Sequence, residues 1–171
     1  MQQEAEIKSK DTRRGTSQFV CFKLSNEEYA IDIVSLQEVI RVPRITPVPQ
    51  MPLFALGVLN IRGNVVATFD LRRLFHLPEK EFDANTKVLV VNVNYALISF
   101  VVDEIRDNVK LEASQIDPTP TVKMKINRYC IQGLGALDGR MIAILDLPKV
   151  HGVIKDEIAK ITLNSATTAT L

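Results

Sequence analysis

Residues 57–71, GVLNIRGNVVATFDL, decide the fold of this 171-residue chain, because much of the stretch occurs a second time. Residues 133–147, GLGALDGRMIAILDL, align with it without gaps. The two copies share the first glycine, the glycine six residues later, one alanine and the closing Asp-Leu. A single repeat at so long a period is not typical of a solenoid, whose units are shorter and more numerous. The repeat therefore predicts two related units packed together.

Two further elements extend the repeat upstream in the same order. An Ile-x-Pro-x-Pro sequence precedes each copy, at residues 45–49 and 116–120. A Glu followed by an apolar residue precedes each of these, as Glu38-Val39 and Glu104-Ile105. Unrelated Gly-turn hairpins do resemble one another, but three matched elements in one order favour duplication.

The glycines and aspartates of the repeat predict its local structure. Gly63 and Gly139 can take positive φ in a tight turn that joins two strands into a hairpin. Asp70 and Asp146 then end the second strand at a helix N-cap. The prolines upstream remove backbone donors, so we expect them at sheet edges or crossings.

Short apolar bursts along the chain are typical of strands. They lie at residues 19–24, 29–33, 65–69, 88–93, 97–102 and 141–145. Residues 88–91 and 97–102 are nearly continuous apolar runs, so we expect them in central strands covered on both faces. Helical patterns are limited to a turn or two at residues 35–40, another after Asp70 and an amphipathic helix at 153–163. The predicted class is all-β, built as small barrels with short helices and a C-terminal helix.

Composition divides the chain into three parts. Residues 1–17 are polar and charged, which predicts a flexible N-terminus. Residues 18–152 form the folded region, as two barrel subdomains of approximately 18–83 and 84–152 whose end strands can be exchanged. Residues 153–171 are expected to form the C-terminal helix and a frayed tail rich in Thr, Ala and Ser.

Charge and hydropathy limit the classes of partner. The chain is 46% hydrophobic and 24% charged, enough for a substantial core. A net charge of +1 gives no broad positive field for nucleic acid or an anionic membrane, so partners must be recognised by local shape and apolar contact. The N-terminus has no signal-like apolar region and no apolar run is long enough to span a bilayer. We therefore predict a cytoplasmic protein.

Residues with catalytic or metal-binding chemistry are scarce. Cys21 and Cys130 are the only cysteines, and their apolar surroundings predict buried free thiols. His76 and His151 are the only histidines; neither has acidic or thiol neighbours at a ligand or triad spacing, and both are expected at the surface. Phosphate-loop and nucleophile-elbow motifs are absent. We predict no enzyme activity, no cofactor and no metal site.

Two other classes of function remain open. A small β-barrel could bind oligonucleotides through aromatic stacking, although the chain has no Trp and its 7 Phe and 3 Tyr are dispersed. A small-molecule-binding protein, including an enzyme with an unrecognised site, is the other alternative.

Four stretches resemble the bacterial CheW-like family of chemotaxis coupling proteins. They are Arg44-Ile-Thr-Pro-Val-Pro49, residues 57–66, Asp70-Leu-Arg72 and Val101-Val-Asp-Glu-Ile105. The resemblance covers about residues 18–150 and implies two small five-stranded β-barrels around a shared hydrophobic core. It also implies a non-enzymatic scaffold that links methyl-accepting chemoreceptors to the histidine kinase CheA, which carries a regulatory domain of the same fold. Membrane association is then expected only through the receptors, with no nucleic-acid partner.

The resemblance also nominates site residues. It implies that Arg62, on its hairpin, pairs with Glu38 and that the pair shapes the surfaces for receptor and kinase. The other candidates for the interface are the apolar residues around that pair, Ile33, Leu36, Val39 and Ile40, for which burial in the core is at least as expected. Gly57 and Ser99 are two further candidates.

Three departures from the family pattern bear on these assignments. Ala67 stands where a Pro is common, Ser99 stands where a Gly is frequent, and the tail beyond Gly152 is not family-like. Ser99 is expected near the receptor surface. Arg62 has no counterpart in the second copy, where Asp138 takes its place. This asymmetry predicts that Arg62 is specific to coupling, whereas the recurring residues belong to the fold.

Overall fold

The computed structural model describes residues 15–169, so most of the predicted flexible N-terminus and the last two residues lie outside the described part. In chain order the elements are β1 (Ser17–Leu24), β2 (Glu27–Asp32), β3 (Leu36–Arg41), β4 (Ala55–Ile61), β5 (Asn64–Asp70), α1 (Leu71–Leu74), β6 (Lys87–Val93), β7 (Ala96–Val102), β8 (Glu104–Leu111), β9 (Ile116–Asp117), β10 (Ile131–Leu137), β11 (Arg140–Leu145) and α2 (Leu147–Ala169). All six predicted bursts are strands, and the fold is mostly β.

The helical turn predicted at residues 35–40 is wrong. A short 3-10 turn, Ile33–Ser35, is capped by the Asp32 carboxylate, and the chain then extends into β3. Side chains along β3 alternate between half-buried and exposed, which is the period of a strand with one face on the core. Pairing with β6 therefore overrides the weak local helical pattern.

The strands form two sheets. The first sheet has the order β3-β6-β7-β5-β4 and the second sheet the order β8-β1-β2-β11-β10-β9. Neighbours are antiparallel except for β5 with β7 and β2 with β11, which run parallel. The strands β6 and β7 are central in the first sheet, as their apolar runs predicted.

Each sheet combines strands from both halves of the chain. The hairpin β1–β2 lies in the second sheet, and the chain then crosses to build β3, β4 and β5 in the first. The hairpin β6–β7 stays in the first sheet before the chain crosses back at Asp103 to build β8 to β11. Strand order in the two sheets is therefore equivalent, apart from the extra strand β9. The subdomain boundary near residue 83 stays a prediction.

The two five-stranded barrels are not confirmed, because no closed barrel is found among residues 15–169. The first sheet curls until its edges meet at one isolated bridge, in which Thr46 and Val58 exchange backbone hydrogen bonds of 3.0 and 2.9 Å. Prolines 43, 47, 49 and 52 lie in the bridging segment and lack amide hydrogens, so the bridge cannot grow into a ladder. The second sheet has six strands rather than five.

Three apolar clusters form the core. The largest lies between the sheets and includes Phe22 and Tyr29 of the second sheet with Leu89 and Phe100 of the first. A second fills the curl of the first sheet around Val88, Val90 and related residues, and a third fills the second sheet. Alternate residues of β6 thus enter different clusters, which explains its nearly unbroken apolar run.

Helix α2 closes the core at the C-terminal end. It is longer than the predicted 153–163, and residues 164–169, expected to fray, are helical. Ile154 is buried and Ile158 packs against the central core. His151 is only 8% exposed, so its expected surface position is wrong; it lies one turn before Lys155 on the helix. His76 is exposed, and Cys21 and Cys130 are buried free thiols as predicted.

Candidate functional site

Arg62 and Glu38 meet at one end of the curled first sheet. Arg62 and Gly63 form the two-residue turn between β4 and β5, with φ of 51° and 84°. Two positive φ values are typical of a type I′ hairpin turn, and the amide of Gly63 donates to Asn60 Oδ1 at 3.0 Å. Glu38 lies on β3, the opposite edge strand. Because the sheet curls, Arg62 Nη2 lies 3.3 Å from Glu38 Oε2, so the pairing implied by the resemblance is present.

This ion pair contributes little to folding. The Arg62 side chain is 82% exposed, compared with 21% for Glu38. Exposed pairs contribute about 0–1 kcal/mol to stability, because water and salt screen the charges. Only one of the five guanidinium N–H donors is used by Glu38. Arg62 therefore presents donors that a partner's carboxylate can take.

The apolar candidates on and before β3 divide between core and surface. Ile33 and Leu36 are half-buried and pack against the central core, and Ile40 packs against the core of the first sheet. Val39 is 39% exposed on the other face of the strand. Val34, which the sequence did not nominate, is 84% exposed because it sits at the outer side of the 3-10 turn.

Two of the nominated residues are held inside the fold. Gly57 has φ of 141°, and a Cβ at this position would meet Thr46 O at 2.0 Å. Its lack of a side chain lets β4 pass close to the bridging segment, so Gly57 acts on the site only through the backbone. Ser99 is wrong as a surface residue: it is fully buried, with Oγ 2.8 Å from Thr68 Oγ1 and donating to Ala67 O at 3.2 Å.

The turn residues of the repeat lie where the sequence predicts. Gly63 and Gly139 have φ of 84° and 76° in equivalent hairpin turns. The Asp70 carboxylate accepts from the amide of Arg72 at 2.9 Å at the start of α1. The Asp146 carboxylate accepts from the amide of Lys149 at 3.1 Å at the start of α2.

An acid–arginine pair also occurs in the second sheet, although its arginine occupies a different position of the repeat from Arg62. Arg140 donates to both carboxylate oxygens of Asp107, at 2.8 and 2.9 Å, and to both of Glu28, at 2.9 and 3.1 Å. Asp107 lies at the bulge of β8, as Glu38 lies at the bulge of β3. The repeat in the sequence does not reveal this pair, because the arginine lies after the turn glycine in one copy and before it in the other.

Arg140 makes more hydrogen bonds to its acidic partners than Arg62 makes to Glu38. The hydrogen bonds that Arg140 donates to Asp107 and then to Glu28 raise the pKa of Arg140 above its usual range, and the Arg140 guanidinium lowers the pKa of Asp107. Four donor contacts occupy the Arg140 side chain, whereas Arg62 makes one. Arg140 thus joins β2, β8 and β11, and Arg62 stays available to a partner.

A buried ion pair lies at the crossing between the sheets. Arg72 Nη1 of α1 is 2.7 Å from Asp103 Oδ2, and both side chains are almost inaccessible. The same oxygen accepts from the amide of Ser25 at 2.7 Å, and Arg72 Nε donates to Pro78 O at 2.9 Å. Asp103 is thus a contact between the two sheets.

Two cavities differ in their lining: one adjoins the charged residues Glu28, Arg106 and Arg140 of the second sheet, and the other lies between the helices. The cavity between α1 and α2, about 660 Å³, is lined mainly by apolar residues and reaches Cys130. Burial raises the pKa of both thiols, to about 11 for Cys21, so they stay protonated near neutral pH. Within residues 15–169 no three His, Cys, Asp or Glu side chains lie together as metal ligands do. No helix in this range has the length and apolar character needed to cross a membrane.

The described residues thus form two β-sheets packed over one core, and each sheet joins a hairpin to its edge strand through an arginine–carboxylate pair. The CheW-like domain model matches residues 18–154, so the chain belongs to the CheW-like domain family. "Chemotaxis protein CheW" of Klebsiella aerogenes is 38% identical over 147 residues, 84% of this chain and 89% of that protein. The protein of the same name from Helicobacter pylori is 32% identical over 150 residues, 87% of this chain and 90% of the relative.

A solved structure shows the same fold. The crystal structure of the scaffolding protein TtCheW from Thermoanaerobacter tengcongensis superimposes with a TM-score of 0.75 at 26% sequence identity, covering 79% of this chain and 92% of that one. The relatives and this structure support a chemotaxis adaptor of a non-enzymatic scaffold family.

Proposed function

We propose that this protein couples methyl-accepting chemoreceptors to the histidine kinase CheA, as a cytoplasmic scaffold that reaches the membrane only through the receptors. Family membership supports the general role, and the exposed Arg62–Glu38 pair is the observation that supports a contact site. The Arg62 side chain is largely exposed, the ion pair adds little to the stability of the fold, and Glu38 uses only one of the guanidinium donors. These are the properties of a residue that binds a partner.

The equivalence of the two sheets supports a protein with two partners. Each sheet ends in a hairpin that carries or adjoins an arginine paired with an acid on the outer strand. Because the sheets differ in which of these arginines is available, their ends can bind different proteins. An adaptor needs two such separate surfaces.

Co-sedimentation tests the proposal. The purified protein is mixed with receptor-bearing membranes, with and without the kinase, and the pellet is assayed for it. We expect recovery with receptors and increased recovery of kinase when the adaptor is present. Absence of the protein from the pellet under both conditions would overturn the proposed function.

Arg62→Ala tests the site itself. If Arg62 is desolvated against a partner carboxylate, its truncation costs about 2–5 kcal/mol of binding. Its loss should change the free energy of unfolding by no more than about 1 kcal/mol, because the pair is exposed. Arg128→Ala, at an exposed arginine on the 3-10 turn before β10, is the control and should bind normally. Unchanged binding by Arg62→Ala would exclude this residue from the interface.

A further inference from the structure

A cavity of about 550 Å³ lies on the second sheet, beside the turn of the β1–β2 hairpin. Three of its lining residues form a row across neighbouring strands, because Leu134 on β10 pairs with Ala143 on β11, which pairs with Tyr29 on β2. The segment between β9 and β10 adds further lining, and its Met124 packs against the central core, which anchors this wall. We call this space the second-sheet cavity. Its volume is typical of sites for small molecules.

The apolar part of this lining suits an aromatic ring. Met124 and Met141 line the cavity together with Leu134. Methionine sulfur makes favourable contacts with aromatic rings, and its flexible side chain adapts to the shape of a ligand. Val122 and Met141, also in the lining, are 51% and 54% exposed. The core therefore does not use all of this apolar surface, and a ligand can bury more of it.

The charged part of the lining is mainly basic. Four cations and two carboxylates contribute to it: Lys23, Arg106, Lys123, Arg140, Glu27 and Glu28. Both carboxylates already have partners. The Tyr29 hydroxyl donates to Glu27 Oε2 at 2.6 Å, and Arg140 donates to both oxygens of Glu28, at 2.9 and 3.1 Å. Because the basic side chains outnumber the acidic ones, the cavity keeps positive charge that is complementary to an anion.

Arg106 is the lining cation best suited to bind that anion. Its Nε lies 3.4 Å from Glu28 Oε1, and its Nη1 lies 3.9 Å from Glu104 Oε1. Both distances are longer than an ordinary N–H···O hydrogen bond, so these contacts do not satisfy the five donors of the guanidinium. A carboxylate can accept two parallel hydrogen bonds from such a group.

The first sheet shows that the repeated fold does not need these charges. Its strands have an equivalent order and register, which place Leu97 at the position of Glu28. The same registers and the sequence repeat give the equivalents of Lys23, Arg106 and Arg140 as Asn92, Gln37 and Asn64. Four charged positions of the second sheet are thus uncharged in the first. The charges therefore indicate a property that belongs to the second sheet alone.

We propose that the second-sheet cavity binds a small organic anion, an aromatic ring that carries one carboxylate. The ring lies against Leu134, Met124 and Met141, and the carboxylate accepts hydrogen bonds from Arg106. A polyanion is not the expected ligand, because the positive charge is confined to the cavity and the whole chain has a net charge of only +1. The site is separate from the Arg62–Glu38 pair on the first sheet, so the inference does not rest on the proposed function.

Titration of the isotope-labelled protein with naphthoate, followed by NMR, tests the site. Naphthoate is an aromatic carboxylate, and naphthamide has nearly the same shape without the charge. The amide signals of Leu134 and Ala143 report binding in the cavity, and those of Val58 and Ala67, at the equivalent positions of the first sheet, are the control. We expect shifts only at the first two residues, with a Kd for naphthoate of about 1 mM or lower and weaker binding of naphthamide.

Arg106→Gln tests the contact with the anion. It introduces the residue type that the first sheet has at the equivalent position, and the exposed, loosely paired side chain contributes little to stability, so urea unfolding should hardly change. We expect naphthoate binding to weaken about tenfold and naphthamide binding to stay the same, so that the preference for the carboxylate disappears. Arg41→Gln, at an exposed arginine of β3, is the matched control and should bind both compounds normally.

Met141→Ala tests the apolar contact. It shortens a half-exposed lining side chain, so it should weaken naphthoate and naphthamide by the same factor, about threefold. Val65→Ala, at the equivalent position of the first copy, should change neither affinity.

Three results would overturn the inference. The first is the absence of naphthoate-induced shifts at Leu134 and Ala143 in the wild-type protein. The second is shifts of equal size at Val58 and Ala67, which would mean that the compound binds apolar surface without selecting the cavity. The third is the same preference for naphthoate over naphthamide in the wild-type protein and in Arg106→Gln. Each of them leaves the proposed function intact, because none of these measurements involves a receptor or the kinase.

Discussion

Gly57 shows how a single residue holds the site's framework. Its φ is 141°, and Thr46 O lies 2.0 Å from the position that a Cβ would take, which leaves no room for a side chain. Gly57→Ala should therefore lower the free energy of unfolding by roughly 2–5 kcal/mol, since it combines backbone strain with steric overlap. Urea denaturation with circular dichroism measures the loss.

Gly63 is the matched control for that substitution. It also has positive φ, 84°, but nothing lies within 4 Å of its Cβ position. Gly63→Ala should cost only the conformational strain, about 1–2 kcal/mol. Equal losses for the two alanine variants would mean that close approach at Gly57 does not matter.

Sequence reasoning worked at residues where local chemistry decides. Positive φ at Gly63 and Gly139 and the caps at Asp70 and Asp146 follow from turn and helix rules that involve only nearby atoms. Ser99 and His151 were expected at the surface and are buried, because their exposure depends on which strand or sheet packs over them. A single sequence carries no local signal for that.

At the scale of elements, α2 is attached through one face. Ile154 is 1% exposed in the central core, whereas Ile161 is only half-buried. Ile154→Ala should cost about 2–5 kcal/mol of stability, the usual range for a large-to-small change in a core. Ile161→Ala should cost clearly less in the same urea titration. Equal losses would show that the helix is held along its whole length.

His151, buried on α2, is expected to make the stability of the fold depend on pH. Burial, and then the charge of Lys155, lower its pKa below the ordinary value near 6.5, and within the described residues its Nδ1 has no hydrogen-bond partner. The unfolded chain therefore binds the proton more readily than the folded one, so stability is full above the unfolded pKa and falls as pH drops through it.

We expect the free energy of unfolding to decrease between about pH 7.5 and about pH 5.5 in the wild-type protein, on either side of the unfolded pKa. His151→Phe keeps a ring of similar size but cannot be protonated, so it should lose little stability over that range. Urea titrations at both pH values make the comparison. A parallel decrease in the two proteins would assign the pH effect to other groups.

Prediction of the elements themselves succeeded where patterns were long or repeated. The apolar runs of β6 and β7 predicted central strands, because a strand buried on both faces needs apolar residues at nearly every position. The prediction for residues 35–40 was wrong, because a short segment fits a helix turn or a strand equally well until its neighbour β6 is known.

At the scale of the whole molecule, the ion pair of Arg72 and Asp103 joins the two sheets. Asp103 begins the crossing after β7, and it binds Arg72 from the first-sheet side and Ser25 from the β1–β2 hairpin of the second sheet. Asp103→Asn should cost about 3–5 kcal/mol, because it leaves the buried Arg72 charge unpaired.

The half-exposed neighbour Arg73 provides the control for this loss. Its contacts with Asp70 and Glu79 are 3.5 and 3.9 Å, so Arg73→Ala should cost about 1 kcal/mol or less. Both free energies come from urea unfolding. A loss for Asp103→Asn as small as that for Arg73→Ala would mean that the sheets are held by apolar packing alone.

The sequence by itself determined the strands of the six apolar bursts, the hairpin turns, the helix caps and, through resemblance, the Arg62–Glu38 pair. These depend on residues near in the chain or on a recognisable motif. The tertiary structure alone decided which hairpins the two halves exchange, that no closed barrel forms among residues 15–169, and that Asp107 meets Arg140 and Asp103 meets Arg72. These contacts join strands from distant parts of the chain, and their energy comes from packing the two sheets over one core, which no local pattern specifies.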